Sequence, residues 1–158
     1  MPRLSCHALF GLLAGALLAG CDQYPRDADD MTARATDAAM RVGASHDPPH
    51  VVVSASGAVT GEEAAVIERF ADARGYRVEW MVRPHDGLMH ALEQAHLHAV
   101  IGGHDRRSPW RSRVAWSRPR LVRGRDGVLQ ERRIALPPGQ SGWQLAFDRH
   151  LIEREHAR

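Results

Sequence analysis

The chain has 158 residues, of which 44% are hydrophobic and 25% are charged, an ordinary composition for one globular domain with a modest core. The formal net charge is only +2, and all 21 basic residues are Arg. Because acidic residues nearly balance the Arg and no nucleic-acid motif accompanies them, we expect no nucleic-acid partner.

Residues 1–20 are typical of a signal peptide. Arg3 provides a positive start, and residues 8–19 form an apolar run that is too short to span a bilayer. The run ends in Leu18-Ala19-Gly20-Cys21, which resembles a bacterial lipobox. That resemblance implies cleavage before Cys21, a diacylglycerol on its thiol, and a protein anchored on the periplasmic side of a membrane. Alternatively, residues 1–20 are an ordinary cleaved signal peptide, and Cys21 follows it by chance. This alternative also implies export.

The residues that follow the lipobox extend this interpretation. Cys6 would be removed with the signal and Cys21 lipidated, so the mature domain would contain no disulfide. Asp22 is similar to the residue that retains lipoproteins in the inner membrane of enteric bacteria. Residues 21–38 are polar, and we predict that they form a tether between lipid and domain.

Residues 40–103 alternate between strand and helix patterns, which indicates a parallel sheet. Strands are predicted at residues 40–44, 76–82 and 97–103, and each is followed by a polar loop. Ligands of open parallel sheets lie outside the carboxyl ends of the strands. The pattern therefore predicts a binding site at the edge where these loops meet.

Helix signals separate the predicted strands. Thr60-Gly61-Glu62-Glu63 has the form of a capping box, and Asp86 stands where it could cap the next helix. Beyond residue 103 a basic segment contains a turn signal at residues 124–127. A last strand is predicted at residues 133–136, followed by a final helix from Ser141.

Four segments, in the same order, resemble type-2 periplasmic solute-binding proteins, the family of the ABC-transporter amino-acid receptors. They are Met40-Arg41-Val42-Gly43 with Asp47-Pro48-Pro49, Gly61-Glu62-Glu63, residues 86–92, and Ala99-Val100-Ile101-Gly102-Gly103. The resemblance covers residues 39–119. It implies an α/β fold, a single three-layer lobe with a mostly parallel sheet.

Members of that family have two lobes that close on a ligand, but only 39 residues follow Pro119 here. The chain therefore resembles a one-lobed member whose second lobe is missing. Residues 131–158 would supply the returning strand and the C-terminal helix of a domain at residues 39–158.

The resemblance implies binding of a small polar or anionic, amino-acid-like solute, as the extracytoplasmic part of a transport system with an inner-membrane permease. His50 stands near the place where amino-acid receptors often carry an aromatic residue. Trp110 stands where they carry an Arg that grips the ligand carboxylate, and Arg107 or Arg111 could take that role. The candidate ligand-binding residues are Asp47, His50, His85, His104, Arg107 and Arg111.

Two other functions are compatible with the residues. His46 (or His50), His85 and His104 follow three different strands, and three imidazoles suit a zinc ion, the one cofactor considered. The chain could instead be an interaction module that has lost ligand binding and docks on a membrane protein. We predict no catalytic residue, because the mature chain contains no Gly-x-Ser-x-Gly elbow, no phosphate loop and no Cys besides the lipidated one.

Overall fold

The structure, a computed structural model, describes residues 26–156. The predicted signal peptide, Cys21 and Asp22 lie outside these described residues. Within them, no helix combines the length and the apolar character needed to cross a membrane. The elements in chain order are α1 (Met31–Asp37), β1 (Met40–Ala44), β2 (Val52–Val53), β3 (Val59–Thr60), α2 (Glu62–Arg74), β4 (Val78–Val82), α3 (His85–Glu93), β5 (Ala99–His104), β6 (Ala115–Trp116), β7 (Arg120–Arg123), β8 (Leu129–Leu136) and α4 (Ser141–His156).

The central sheet has the strand order β4-β1-β5-β8-β6. Strand β1 pairs in parallel with β4 and β5, so the segment predicted to be parallel is parallel. Strand β8 runs antiparallel to both β5 and β6, and its first half also pairs with β7 in a hairpin. The sheet is therefore parallel on the side built by residues 40–104 and antiparallel on the other.

Helices cover both faces of the sheet, which explains the apolar run in its central strand. Ala99, Val100 and Ile101 of β5 are fully buried. On one face, α1, α2 and α4 pack around Phe70, which contacts Trp143 and Phe147 at ring-centroid distances of 5.5 and 4.8 Å. On the other face, α3 packs with the segment that carries Trp110 and Val114. The three-layer arrangement agrees with the predicted fold class.

A short hairpin connects β7 to β8. Arg123 pairs with Leu129 across the hairpin, and the Gly124 amide donates to the Val128 carbonyl at 2.8 Å. Gly127 has a φ of 80°, a conformation that favours glycine in such a turn. Between the two strands the chain therefore makes a turn and builds no second lobe.

The segment predicted as a tether is packed from residue 26 onward. The Asp27 carboxylate accepts hydrogen bonds from the amides of Met31 and Thr32, at 3.0 and 2.8 Å, and so satisfies the start of α1. Met31 and Ala35 are buried against the sheet. The folded domain thus includes α1, and its predicted start at residue 39 is too late.

Both helix-cap predictions are wrong. The N-cap of α2 is Gly61, because Thr60 lies in β3, where its hydroxyl faces the Val52 carbonyl at 3.4 Å. Helix α3 begins at His85 after Pro84, so Asp86 lies within the first turn. Thr60 pairs with Val52 of β2, so it belongs to β3, although the local pattern assigned it to the helix cap.

Replacing Phe70 with Ala should lower the free energy of unfolding by about 3–5 kcal/mol, because it removes a buried ring that three elements share. Leu145→Ala, at a partly exposed position of α4, is the matched control and should change stability by about 0.5 kcal/mol or less. Urea denaturation of both variants measures the difference. Equal midpoints would contradict this account of the core.

Candidate functional site

The carboxyl ends of β1, β4 and β5 lie side by side, and residues from five elements or loops meet there. We call this group the strand-end face. Asp47 follows β1, His85 begins α3 after β4, His104 ends β5, Glu63 starts α2, and Arg132 comes from β8. The sequence therefore predicted three of its five members.

Two glycines at the end of β5 allow the face to form. Gly102 and Gly103 have φ values of 149° and 79°. The Gly102 amide donates to the Glu63 carboxylate at 3.0 Å, and a Cβ built on Gly103 would overlap Oδ2 of Asp47. The backbone can approach both carboxylates only because side chains are missing here.

An ion pair spans the face. Nη1 of Arg132 lies 3.3 Å from Oδ2 of Asp47, and the Arg132 side chain is only 16% exposed. A second guanidinium nitrogen of Arg132 donates to Gln130 at 3.3 Å. Arg132 was missed in the sequence because it is one Arg of a basic segment, and only the β5–β8 pairing brings it to this edge.

Glu63 lies beneath the ion pair and is buried. Burial raises the pKa of its carboxyl, while hydrogen bonds from the amides of Gly102 and Gly103, and then the charge of Arg132, act in the opposite direction. The capping-box interpretation predicted that this side chain turns back to the start of its own helix. In the structure it binds the end of β5 instead.

Two histidines complete the face. Nε2 of His85 lies 3.0 Å from Nε2 of His104, so one ring donates and the other accepts. Burial, together with the charges of His85 and Arg132, lowers the pKa of His104 to about 3, while a hydrogen bond with the Arg133 backbone acts in the opposite direction. His104 is therefore neutral at physiological pH, and Trp116 packs against it with ring centroids 5.4 Å apart.

Several buried polar atoms on the face have no hydrogen-bond partner of good geometry within residues 26–154. They include Oδ2 of Asp47, Oε1 of Glu63, Nδ1 of His104 and Nε of Arg132. Such atoms are uncommon in folded proteins, where nearly every buried donor or acceptor is paired. Four of them on one face indicate a place suited to the polar atoms of a ligand.

The structure does not bring the predicted zinc ligands together. His46 is exposed, and its Nδ1 accepts a hydrogen bond from the Val53 amide at 3.0 Å. Within the described part of the chain, no group of three His, Cys, Asp or Glu side chains is arranged to hold a metal. The loop after β1 turns toward β2, and this separates His46 from the pair formed by His85 and His104.

The remaining predicted ligand residues have other contacts. His50 is buried beside Glu62, with Nδ1 3.8 Å from its carboxylate. Arg107 is exposed and pairs at 3.2 Å with Asp105 of its own loop, and Arg111 is exposed as well. The structure places none of these three within the strand-end face.

Trp110 is a core residue. It is buried, the Arg113 guanidinium lies 4.4 Å from its ring centroid, and His90 packs edge-on at 4.8 Å. The family resemblance implied a carboxylate-binding Arg at position 110. The residue there, Trp110, instead packs in the core. The positive charge on the strand-end face comes instead from Arg132, which pairs with Asp47.

Comparison with protein-family models and with curated proteins gives no match. Solved structures do match. The arginine-bound domain 1 of TmArgBP, the arginine-binding protein of T. maritima, aligns at a TM-score of 0.65 and 23% identity, over 79% of this chain and 98% of that one. A point mutant of that domain gives 0.67 and 22%, over 81% and 98%. EhuB in complex with hydroxyectoine gives 0.66 and 13%, over 84% and 89%.

The chain has the fold of one lobe of a type-2 periplasmic binding protein. Coverage of 98% of a structure that is itself a single domain confirms the predicted one-lobed fold. In this type-2 lobe the hairpin β7–β8 follows the core, and its second strand carries Arg132 into the strand-end face.

The buried histidines should make stability depend on pH. Burial lowers the pKa of His98 to about 4 and that of His104 to about 3, from an ordinary value of 6.5. The unfolded chain binds these protons below pH 6.5 and the folded chain does not. The free energy of unfolding should therefore fall as pH falls from 6.5 toward 4, by up to about 1.4 kcal/mol per pH unit for each histidine.

Urea denaturation of H104N at several pH values would test this. The variant should lose about half of the pH dependence that His98 and His104 together give to the free energy of unfolding. The raised pKa of Glu63 gives a slope of opposite sign, but both proteins share it, so their difference isolates His104. H96N, which removes an exposed imidazole, is the matched control. Equal slopes for H104N and the unsubstituted protein would contradict the assignment of a buried neutral His104.

Proposed function

We propose that the chain is a membrane-anchored, periplasm-facing solute-binding lipoprotein that binds a small, polar, amino-acid-like solute on the strand-end face. The observation that carries the proposal is the partly buried ion pair of Asp47 and Arg132, beside Glu63 and His104, each of which has a buried polar atom without a hydrogen-bond partner of good geometry. The fold supports it, since the matched proteins include an arginine-bound domain and a hydroxyectoine complex.

The chemistry of the face suits a zwitterion. The Asp47 carboxylate can accept from an ammonium group, and the planar guanidinium of Arg132 can donate two parallel hydrogen bonds to a carboxylate. A solute that carries both charges could replace the contact these residues make with each other. The neutral His104 and its partner His85 would bind uncharged polar groups beside them.

Thermal unfolding of the full chain carrying C21S, in the presence of amino acids, betaine-type zwitterions and small carboxylates, tests this proposal. A ligand at one hundred times its Kd should raise the Tm on the order of 5–10 °C. R132Q should abolish the rise, whereas R123Q, an exposed Arg of the same hairpin, should keep it. H85N removes a partly exposed member of the face and should weaken the rise without unfolding the protein.

A second candidate function has a specific observation in its favour. Leu121, Val128 and Leu129 on the hairpin are 71, 58 and 56% exposed, which is unusual for large apolar side chains grouped on one element. An interaction module docking on a membrane protein, such as a permease, would cover them. Absence of any Tm rise, together with recovery of a stable membrane partner that L121N and L129N lose, would favour this function over solute binding.

We also propose that residues 1–20 are removed as a signal peptide and that Cys21 is lipidated. Residues 21–25 would then link the lipid to the packed segment that begins at Arg26. Asp22 supports retention in the inner membrane, where a permease could receive the solute. These points rest on the lipobox and its neighbours in the sequence.

Metabolic labelling with palmitate should mark the protein through Cys21, and C21S should lose the label and leave the membrane fraction. C6S is the matched control, because Cys6 lies in the segment that cleavage would remove, so C6S should retain both label and location. Equal labelling of C21S and the unsubstituted protein would overturn the lipidation proposal.

A further inference from the structure

A cavity of about 720 Å³ lies outside the strand-end face, between α2, the β7–β8 hairpin and α4. None of the five residues of the strand-end face lines it. The volume falls within the range of about 300–1,000 Å³ that is usual for small-molecule sites. The residues relevant to its chemistry are Val66, Arg69, Arg120, Leu121, Leu151 and Arg154.

The apolar part of the lining comes from all three elements. Val66 of α2 and Leu151 of α4 are buried, while Leu121 of β7 is 71% exposed. Leu121 thus lines the cavity and still faces solvent. An apolar body that enters the cavity would cover this side chain, and the covered area would favour binding.

The charged part of the lining is predominantly basic. Arg69, Arg120 and Arg154 also come from three elements, one from each. The two carboxylates of the lining are already engaged, since Glu62 accepts from Arg120 at 2.7 Å and Glu131 from Arg133 at 3.0 Å. Arg120 is engaged by the same contact, and with three arginines against two carboxylates the lining keeps a net positive charge.

His150 lies in the lining and reflects the local charge. Burial lowers the pKa of its imidazole, and the charges of Arg154, Arg69 and Arg74 lower it further, against the opposing charge of Glu153. Three guanidinium groups thus act on one buried ring. Cations thus outnumber carboxylates among the charges that act on this ring, which favours an anion nearby.

We propose that this cavity binds a small amphipathic anion, with a carboxylate or phosphate head at the arginines and an apolar body against Val66, Leu121 and Leu151. A fatty carboxylate and a lipid phosphate share this chemistry. The site is independent of solute binding at the strand-end face. Each could be present without the other, since they share no residue.

Isothermal titration of the full chain carrying C21S, with decanoate and with decyl phosphate below their critical micelle concentrations, tests the proposal. One anion should bind per chain, and the tighter of the two identifies the preferred head group. Decanol, which has no charge, and acetate, which has no apolar body, should each bind at least about tenfold more weakly. Binding of decanol equal to that of decanoate would overturn the proposal, as would no binding of either anion.

Two pairs of variants locate the site. R154Q should weaken binding by about fivefold, while R149Q, an exposed Arg of the same helix that does not line the cavity, should not. L121N should weaken binding of decanoate, while L129N, an exposed position of the same hairpin outside the lining, should not. Equal affinities within both pairs would place the anion elsewhere and overturn the proposal. All four positions are solvent-exposed, so none of the variants should unfold the protein.

Discussion

The close approach of the Gly102–Gly103 backbone to two carboxylates is the constraint on which the strand-end face depends. The Glu63 carboxylate accepts a hydrogen bond from the Gly102 amide, and Asp47 occupies the space that a side chain on Gly103 would fill. Arg132 of β8 acts on both acids, because it pairs with Asp47 and opposes the effect of burial on the pKa of Glu63. The antiparallel strand is therefore as necessary to the face as the parallel strands that form its edge.

Much of the fold could be predicted, because its signals are local. Strand β1 was placed correctly from five residues, and β5 overlaps the strand predicted at residues 97–103. The cap of α2 was not predictable, because both residues of the expected capping box make contacts outside the helix. The Thr60 hydroxyl donates to the Val52 carbonyl of β2, and the Glu63 carboxylate accepts from the Gly102 amide of β5. The packing of α1 onto the domain was missed because its burial depends on two side chains, Met31 and Ala35, in an otherwise polar segment.

The candidate site was predictable only where it follows the parallel strands. Asp47, His85 and His104 stand directly after strands, so the rule about carboxyl ends identified them. Arg132 belongs to an antiparallel strand, and no local pattern distinguishes it from the nine other Arg residues between positions 106 and 133. Arg107 satisfied the same local rule as His104, yet its own loop supplies the acid that binds it. A position just after a strand thus identified Asp47, His85 and His104. The same criterion wrongly included Arg107 and could not find Arg132.

The hairpin gives the two candidate sites their separate characters. Successive residues of a strand project to opposite faces, and in β8 Glu131 lines the cavity while Arg132 enters the strand-end face. On one side, therefore, the hairpin adds a charge to a polar surface that no second lobe covers within residues 26–156. On the other side, it adds an apolar wall to a cavity already bounded by α2 and α4. The β7–β8 hairpin therefore contributes a charge to the first site and one wall to the second.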